Sequence, residues 1–252
     1  CIIHCAAKSN VMNESNSNSS KIYHSANVES TKQLAEHAAK AGVKRLIFLS
    51  SVKVNGETTD KINIREKFSY NDTPARFDIY AITKLKAENI LWEISSRTGL
   101  EVVIIRLPLV YGNDPKGNLA KLVKLVKLGI PLPLSMVKNQ RSMIGIDNLK
   151  DLLIRCIDHQ KANGKTFLVS DGKDLSTPEI VKLIALSMKK KANLFPLPIL
   201  ILKYLGFIFG KREEVNKLVK SLKVDNSYTK HVLNWTPPID IEEGIRRMVQ
   251  ER

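Results

Sequence analysis

The chain has 252 residues and a mass of 28.3 kDa, and it is 43% hydrophobic and 26% charged. That is enough apolar material for a sizeable core, and it excludes collagen-like, low-complexity and wholly disordered classes. The balance of 40 Lys+Arg against 25 Asp+Glu gives +15 and a pI near 9.7, which favours an anionic partner such as nucleic acid, a membrane surface or a phosphorylated ligand. The lysines are dispersed, however. Lys121, Lys124 and Lys127 alternate with Leu119, Leu122, Val123 and Val126, as on the solvated side of a half-buried helix. Aromatics make up only 6% and are not interleaved with basic residues, so no nucleic-acid platform is expected. Cys1, Cys5 and Cys156 form no CxxC pair and no zinc spacing, and no HExxH occurs. No metal site is expected, and a reducing cytoplasm is the expected location.

The chain opens on Cys-Ile-Ile-His-Cys-Ala-Ala, without methionine and without the features of a signal peptide. Ile2–Ala7 reads as a buried strand, with further chain expected before it. Residues 9–25 are rich in Ser and Asn and read as a polar loop or a poorly ordered helix start. A helix is expected over Val28–Lys40, buried through Leu34, Ala35, Ala38 and Ala39 and capped by Gly42. Arg45–Ser51 is a strand, 55–78 a long loop, Tyr80–Arg97 a helix closed by Gly99, and Glu101–Leu107 a strand ahead of Pro108. This order predicts an α/β protein with a Rossmann-like parallel sheet, whose ligands bind at the carboxyl ends of the strands.

Further on, helices are expected at Asn118–Leu128 and Asp147–His159, and a strand at Thr166–Ser170. Ser176-Thr-Pro-Glu179 has the form of a capping box. The last third reads as a smaller mixed domain. Leu194–Gly210 is the most apolar stretch but is short for a span of about 20 residues. We expect a helix packed in the second domain. A membrane-surface segment, flanked by Lys189–Lys191 and Lys211-Arg212, is the alternative.

Tyr80 and Lys84 stand four apart on a predicted helix and share its face. A strand ending in Ser50-Ser51 precedes them. These residue types suit proton transfer at a sugar or alcohol hydroxyl. An ammonium near a phenol favours the phenolate, and a serine hydroxyl can hold the reacting oxygen.

In chain order, seven segments carry a family likeness: Ile2–Ala7, Asn27-Val28, Phe48–Gly56, the Tyr80-Ala-Ile-Thr-Lys84 motif, Arg106–Gly112, Gln140–Asp147, and Leu233-Asn-Trp-Thr-Pro237 with Glu242-Glu-Gly244. Together they resemble the extended short-chain dehydrogenases/reductases, in the nucleotide-sugar epimerase/dehydratase branch and its UDP-glucose 4-epimerase-like subgroup. The resemblance implies a catalytic set of Ser51, Tyr80 and Lys84. It implies NAD, with NADP as the alternative, lined by Ala6, Ala7, Asn27, Tyr80, Lys84 and Pro108. It implies a UDP-sugar held by Ser51, Asn118 and Arg141, and a homodimer. Residues 1–112 would be a partial dinucleotide-binding domain carrying the catalytic residues. Residues 113–252 would be mainly the substrate domain, with some return to the Rossmann sheet.

There are departures from the family pattern. No GxGxxG or GxxGxxG occurs in the 252 residues, so the glycine-rich, pyrophosphate-binding turn is absent from this sequence. A second phosphate-binding arginine has only Arg212 as a candidate. Asn55 and Asn234 replace a commoner tyrosine and glycine. His4 reads as a packed histidine. The implied activity is a 4-epimerase for surface polysaccharide synthesis, with a 4-ketoreductase of a UDP-4-keto-6-deoxy sugar as the alternative. An inactive fragment of a split gene, or a protein that binds RNA or an anionic membrane, are readings of other classes.

Overall fold

The structure is a computed structural model that describes residues 1–9, 16–60, 67–75 and 78–250. Four strands form a parallel sheet in the order β1 (Ile2–His4), β2 (Arg45–Ser51), β3 (Glu101–Leu107) and β6 (Lys165–Leu168). β2 and β3 are continuous apolar runs because helices cover both of their faces. On one face, Leu46, Phe48, Val102 and Ile104 pack against Ala35 of α2 (Ser30–Lys40) and Ala87, Leu91 and Ile94 of α3 (Ile79–Thr98). On the other, Ile47, Val103 and Ile105 meet Leu149, Leu152 and Cys156 of α5 (Ile146–Asp158). β1 is an edge strand among the described residues, and its Ile3 is 38% exposed.

The bounds expected for β2 and β3 are the observed ones. β1 is shorter than expected, ending at His4 and leaving Ala6 and Ala7 exposed beyond it. The helix expected from Val28 begins earlier. α1 (Asn16–His24) runs through a π-helical turn at Ser25–Glu29 into α2. Such one-turn widenings insert an extra residue into a helix. Here the turn carries Asn27 inward, where it is fully buried. α3 starts where Asp78 accepts a hydrogen bond from the Ala81 amide at 2.6 Å, and it stops at Gly99, whose φ of +75° suits glycine.

The remaining elements build a second core. β4 (Leu109–Tyr111) pairs with β5 (Met143–Gly145) in a two-stranded sheet. Around it lie α4 (Gly117–Lys127), α6 (Thr177–Ser187), α7 (Ile199–Ile208), α8 (Arg212–Val219) and α10 (Ile241–Gln250), while α9 (Ser227–Leu233) packs back on the large sheet through Leu233 and the Thr229–Leu168 hydrogen bond. The Ser176–Glu179 capping box forms as expected. β6 returns the chain to the large sheet. The 55–78 segment docks on 221–225, with Thr59 donating its amide to Ser221 and Phe68 bridged to Val224; residues 61–66 and 76–77 of that segment lie outside the described residues. The helix expected in Leu194–Gly210 forms as α7 and packs on the second core through Leu202, but by one narrow side. Only Leu202 and Gly206 of α7 are buried, and its other apolar side chains face outward or lie at the margin.

A buried ion pair ties α3 to the sheet. Glu88 accepts from Arg106 Nη2 at 2.7 Å and Nε at 3.1 Å, and it also accepts the Ser50 hydroxyl. Arg106 donates further to Asn55 at 3.1 Å. Breaking such a pair leaves an uncompensated charge, so Glu88→Ala is expected to destabilise the protein by about 3–5 kcal/mol. Replacing both partners together (Glu88→Leu with Arg106→Leu) should cost far less, and urea unfolding of the two variants beside the parent protein measures the difference.

Candidate active site

The carboxyl ends of β2 and β3 gather the expected residues. Ser51 ends β2 and accepts the Lys53 amide at 3.3 Å. Close to its hydroxyl stands Tyr80, half-buried on the first turn of α3. One turn on, Lys84 is only 2% exposed, and its Nζ donates to the Leu49 carbonyl at 2.7 Å and sits 4.2 Å from the centroid of the Phe48 ring. Burial pushes the Lys84 ammonium down to about 8, partly offset by Glu88. Burial also pushes the Tyr80 phenol above its ordinary value; the Ser51 hydroxyl opposes that shift, and Asp78 and Tyr23 add to it.

This differs from the expectation that Lys84 lowers the Tyr80 pKa. The Lys84 ammonium is aimed at the Leu49 carbonyl, and Lys84 is not among the charges acting on the phenol. The cation over the Tyr80 ring is Lys53, whose Nζ lies 5.9 Å from the centroid and is paired with Asp78. Tyr23 of α1 presents a ring edge to Tyr80 at 6.4 Å between centroids. Neither Lys53 nor Tyr23 was singled out from sequence. Tyr23 precedes Asn27 by one helical turn, which was the available signal.

Asn27 closes on the chain just past β1. Its Oδ1 accepts the Lys8 amide at 2.8 Å, and its Nδ2 donates to the Lys8 carbonyl at 3.0 Å and to Thr83 Oγ1 at 3.1 Å. The clamp holds Ala6 and Ala7 in a fixed, exposed backbone with only methyl side chains. His4 is buried and bonded to Thr31 at 2.9 Å, so it is a packed histidine; burial, with Lys84 nearby, pushes it below its ordinary pKa. Pro108 is buried at the end of β3.

Arg141 and Asn118 lie in the smaller part of the molecule. Arg141 Nη1 donates to the Lys217 and Lys220 carbonyls at 3.1 and 3.3 Å, and burial holds its guanidinium below the ordinary value. It lines two adjoining hollows. One, of about 250 Å³, includes Lys116, Asn118, Thr177 and Lys217. The other, of about 330 Å³, includes Lys53, Asp78, Asn216 and Lys217. Arg141 and Lys217 border both, so the two hollows adjoin as a groove, one reaching the Lys53–Asp78 pair, Glu57 and Glu213, the other Asn118 on α4. Arg212 does not line it, and Lys217, one and a half turns further along α8, does. Asn118 Nδ2 donates to the Glu214 carbonyl at 3.3 Å.

A parallel sheet with a Tyr–Lys pair at its carboxyl edge, and a cationic groove beyond it, defines a nucleotide-dependent enzyme of the Rossmann type. The NAD dependent epimerase/dehydratase family matches residues 1–170. The chain is 42% identical over 250 residues to the UDP-glucose 4-epimerase of Vibrio cholerae, covering 99% of this chain and 75% of that protein. It is 26% identical over 242 residues to the N-acetyl-alpha-D-glucosaminyl-diphospho-ditrans,octacis-undecaprenol 4-epimerase of Escherichia coli O157:H7, covering 91% and 71%. Its fold superposes with a TM-score of 0.76 on the UDP-glucuronic acid 4-epimerase of Bacillus cereus in complex with NAD, at 19% identity, over 98% of this chain and 70% of that one. The chain belongs to the NAD-dependent epimerase/dehydratase family of enzymes.

Lys84 carries a stability consequence. Its pKa falls from 10.5 unfolded to about 8 folded, so the unfolded chain binds more protons between those values and stability rises with pH across them. Lys84→Met keeps the length and removes the charge. It is expected to stabilise the protein by about 1–3 kcal/mol at pH 7, a gain that shrinks as pH rises from about 8 toward 10. Thermal unfolding of both proteins over that range checks the sign and the trend.

Proposed function

We propose that the protein is a nucleotide-sugar 4-epimerase that acts on a UDP-hexose or a UDP-N-acetylhexosamine with NAD. The observation that carries this reading is the convergence of Ser51, Tyr80 and Lys84 where β2 and β3 end, in a chain 42% identical to a UDP-glucose 4-epimerase.

The residues present fit the nicotinamide-ribose half of a dinucleotide. The Leu49 carbonyl takes one of the three Lys84 protons, and no further acceptor for that ammonium is found among the described residues. The other two suit a ribose diol. Ala6, Ala7, the Asn27 clamp and Pro108 would line the same cofactor. Bound NAD supplies a reversible hydride acceptor at sugar C4.

The chain's own residues would handle the proton and the anion. Ser51 Oγ would hold the 4-hydroxyl, and Tyr80 Oη, in its phenolate form, would take the hydroxyl proton and return it as phenol. The Ser51 hydroxyl lies near enough to the Tyr80 phenol to act on its ionisation, so both can meet one substrate oxygen. Arg141 would pair with the diphosphate, for which its planar guanidinium is suited. Lys217 stands at the same groove as the second cation, and Asn118 would hold the substrate's far end. In this reading residues 1–112 bind cofactor and carry the catalytic set, and residues 113–252 mainly bind substrate. The protein works as a homodimer in the cytoplasm; sedimentation of the purified protein tests the dimer.

Incubation of the NAD-supplied protein with UDP-glucose or UDP-N-acetylglucosamine, followed by NMR, is expected to show interconversion at C4 without net oxidation of cofactor. Stoichiometric consumption of reduced cofactor on a 4-keto-6-deoxy sugar nucleotide would favour the ketoreductase instead. Tyr80→Phe is expected to lower turnover by about 10²–10⁴-fold while cofactor stays bound. Retention of most activity would remove Tyr80 from the catalytic set. Lys84→Ala should weaken both cofactor binding and rate. Arg141→Ala should raise KM with little change in kcat.

A further inference from the structure

α7 is apolar almost all round, yet it lies on the outside of the molecule. Leu202 and Gly206 face inward, one turn apart. A Cβ on Gly206 would fall 2.6 Å from a Val215 methyl, so the glycine lets α7 seat tightly on α8. The rest of the helix and its end are open. Leu200 is 81% exposed, Phe207 65% and Phe209 71%, with Ile201, Tyr204 and Ile208 exposed between them. A helix that is hydrophobic all round belongs in a core or in lipid, and such a patch on a water-facing surface marks an interaction site.

The occupant can be argued from length and charge. Ten residues span about 15 Å, half of the roughly 30 Å hydrocarbon core, so α7 is too short to cross a bilayer. Among the described residues no helix is long and apolar enough to do so. From Leu186 to Arg212 the chain carries Lys189, Lys190, Lys191, Lys203, Lys211 and Arg212 and no acidic residue. Glu213 and Glu214 begin only beyond it, the latter paired with Lys211 at 3.7 Å and Lys121 at 3.5 Å. Lys190 donates to the Lys127 carbonyl and Asn193 to the Gly129 carbonyl, which ties the basic segment to the turn that exposes Leu128 and Ile130. Phe195, 42% exposed, follows directly. Apolar side chains ringed by cations are what a helix lying in the headgroup region presents to anionic lipid.

We propose that α7, with the basic segments on either side of it, docks the protein on the surface of an anionic lipid bilayer. The proposal does not depend on the reading of the groove, because none of its residues lines it. α8 connects the two surfaces: Val215 seats α7, and Asn216 and Lys217 wall the groove.

The test is flotation of the purified, NAD-supplied protein with vesicles of phosphatidylcholine alone or with about one third phosphatidylglycerol. Binding is expected to the anionic vesicles, weakening as salt is raised. Leu200→Ser, Phe207→Ser and Phe209→Ser together should lower the bound fraction at least about tenfold, with turnover in solution unchanged. Lys203→Glu with Arg212→Glu should weaken binding to the anionic vesicles while leaving the fold and turnover intact. In a Phe209→Trp variant, tryptophan emission should shift to the blue when anionic vesicles are added, which needs no destabilising change. Absence of binding, or no blue shift, overturns the proposal. So does a sedimenting dimer that becomes monomeric in the triple serine variant, which would assign the face to a second copy of the chain.

Discussion

One buried carboxylate holds the site in register. Glu88 lies in the interior between α3 and the sheet and satisfies Arg106 of β3 and Ser50 of β2 together. A helix laid on a sheet can slide or roll, because apolar packing is not directional. An ion pair with two hydrogen bonds from one guanidinium is directional, and in low dielectric a misfit is costly. Tyr80, Lys84 and Glu88 are spaced by four along α3 and form one stripe. With Glu88 anchored, Lys84 is delivered to the Leu49 carbonyl, and Tyr80 to the Ser51 hydroxyl at the rim. Burial falls along the stripe, from a buried anchor through a buried ammonium to a half-buried phenol.

That ordering explains why spacing alone misjudged the electrostatics. A four-residue interval puts Tyr80 and Lys84 on one face, and an ammonium near a phenol should favour the phenolate. The interval does not say where a four-carbon side chain ends. In the structure the Lys84 stem runs over Phe48 into the sheet and spends its charge on a backbone carbonyl. Desolvation then dominates at both groups, raising the phenol and lowering the ammonium. The aromatic ring that meets Tyr80 and the cation that lies over it come from elsewhere, Tyr23 and Lys53.

Central strands were the most legible part of the chain. β2 and β3 are buried on both faces, so Leu46–Leu49 and Val102–Ile105 read as unbroken apolar runs within them. Helices with explicit signals were nearly as clear: Gly99 after α3 and the Ser176–Glu179 box before α6 are local chemistry. The start of the first long helix was not legible, because Ser and Asn between 13 and 20 are poor helix formers, and the helical course of Asn16–His24 is not written in local propensity. Asn234 looked like a departure from a glycine pattern. It caps α9 with φ 45° and ψ 53°, a left-handed conformation that asparagine tolerates better than most residues, so the backbone requirement survives the substitution. Lys217, which lines both hollows, carried no signal in the sequence, because a search for a second arginine looks for a residue type rather than a position. Which flank of an apolar segment faces the core is likewise tertiary information, and α7 packs by Leu202 and Gly206 alone.

Net charge illustrates the same limit. A value of +15 spread over a chain says little, since dispersed lysines serve mainly to solvate helix faces. Position changes its meaning. Around the groove, Arg141 and Lys217 converge from the bridged segment ahead of β5 and from α8, which are far apart in sequence. Around α7, six basic residues and no acidic one flank a face that water does not favour. α8 is eight residues long and takes part in both. Asn216 and Lys217 meet the groove while Val215 packs against Gly206 behind it, so a residue added at Gly206 would push on the same short helix that carries the groove's second cation. The two surfaces are therefore mechanically connected through one element.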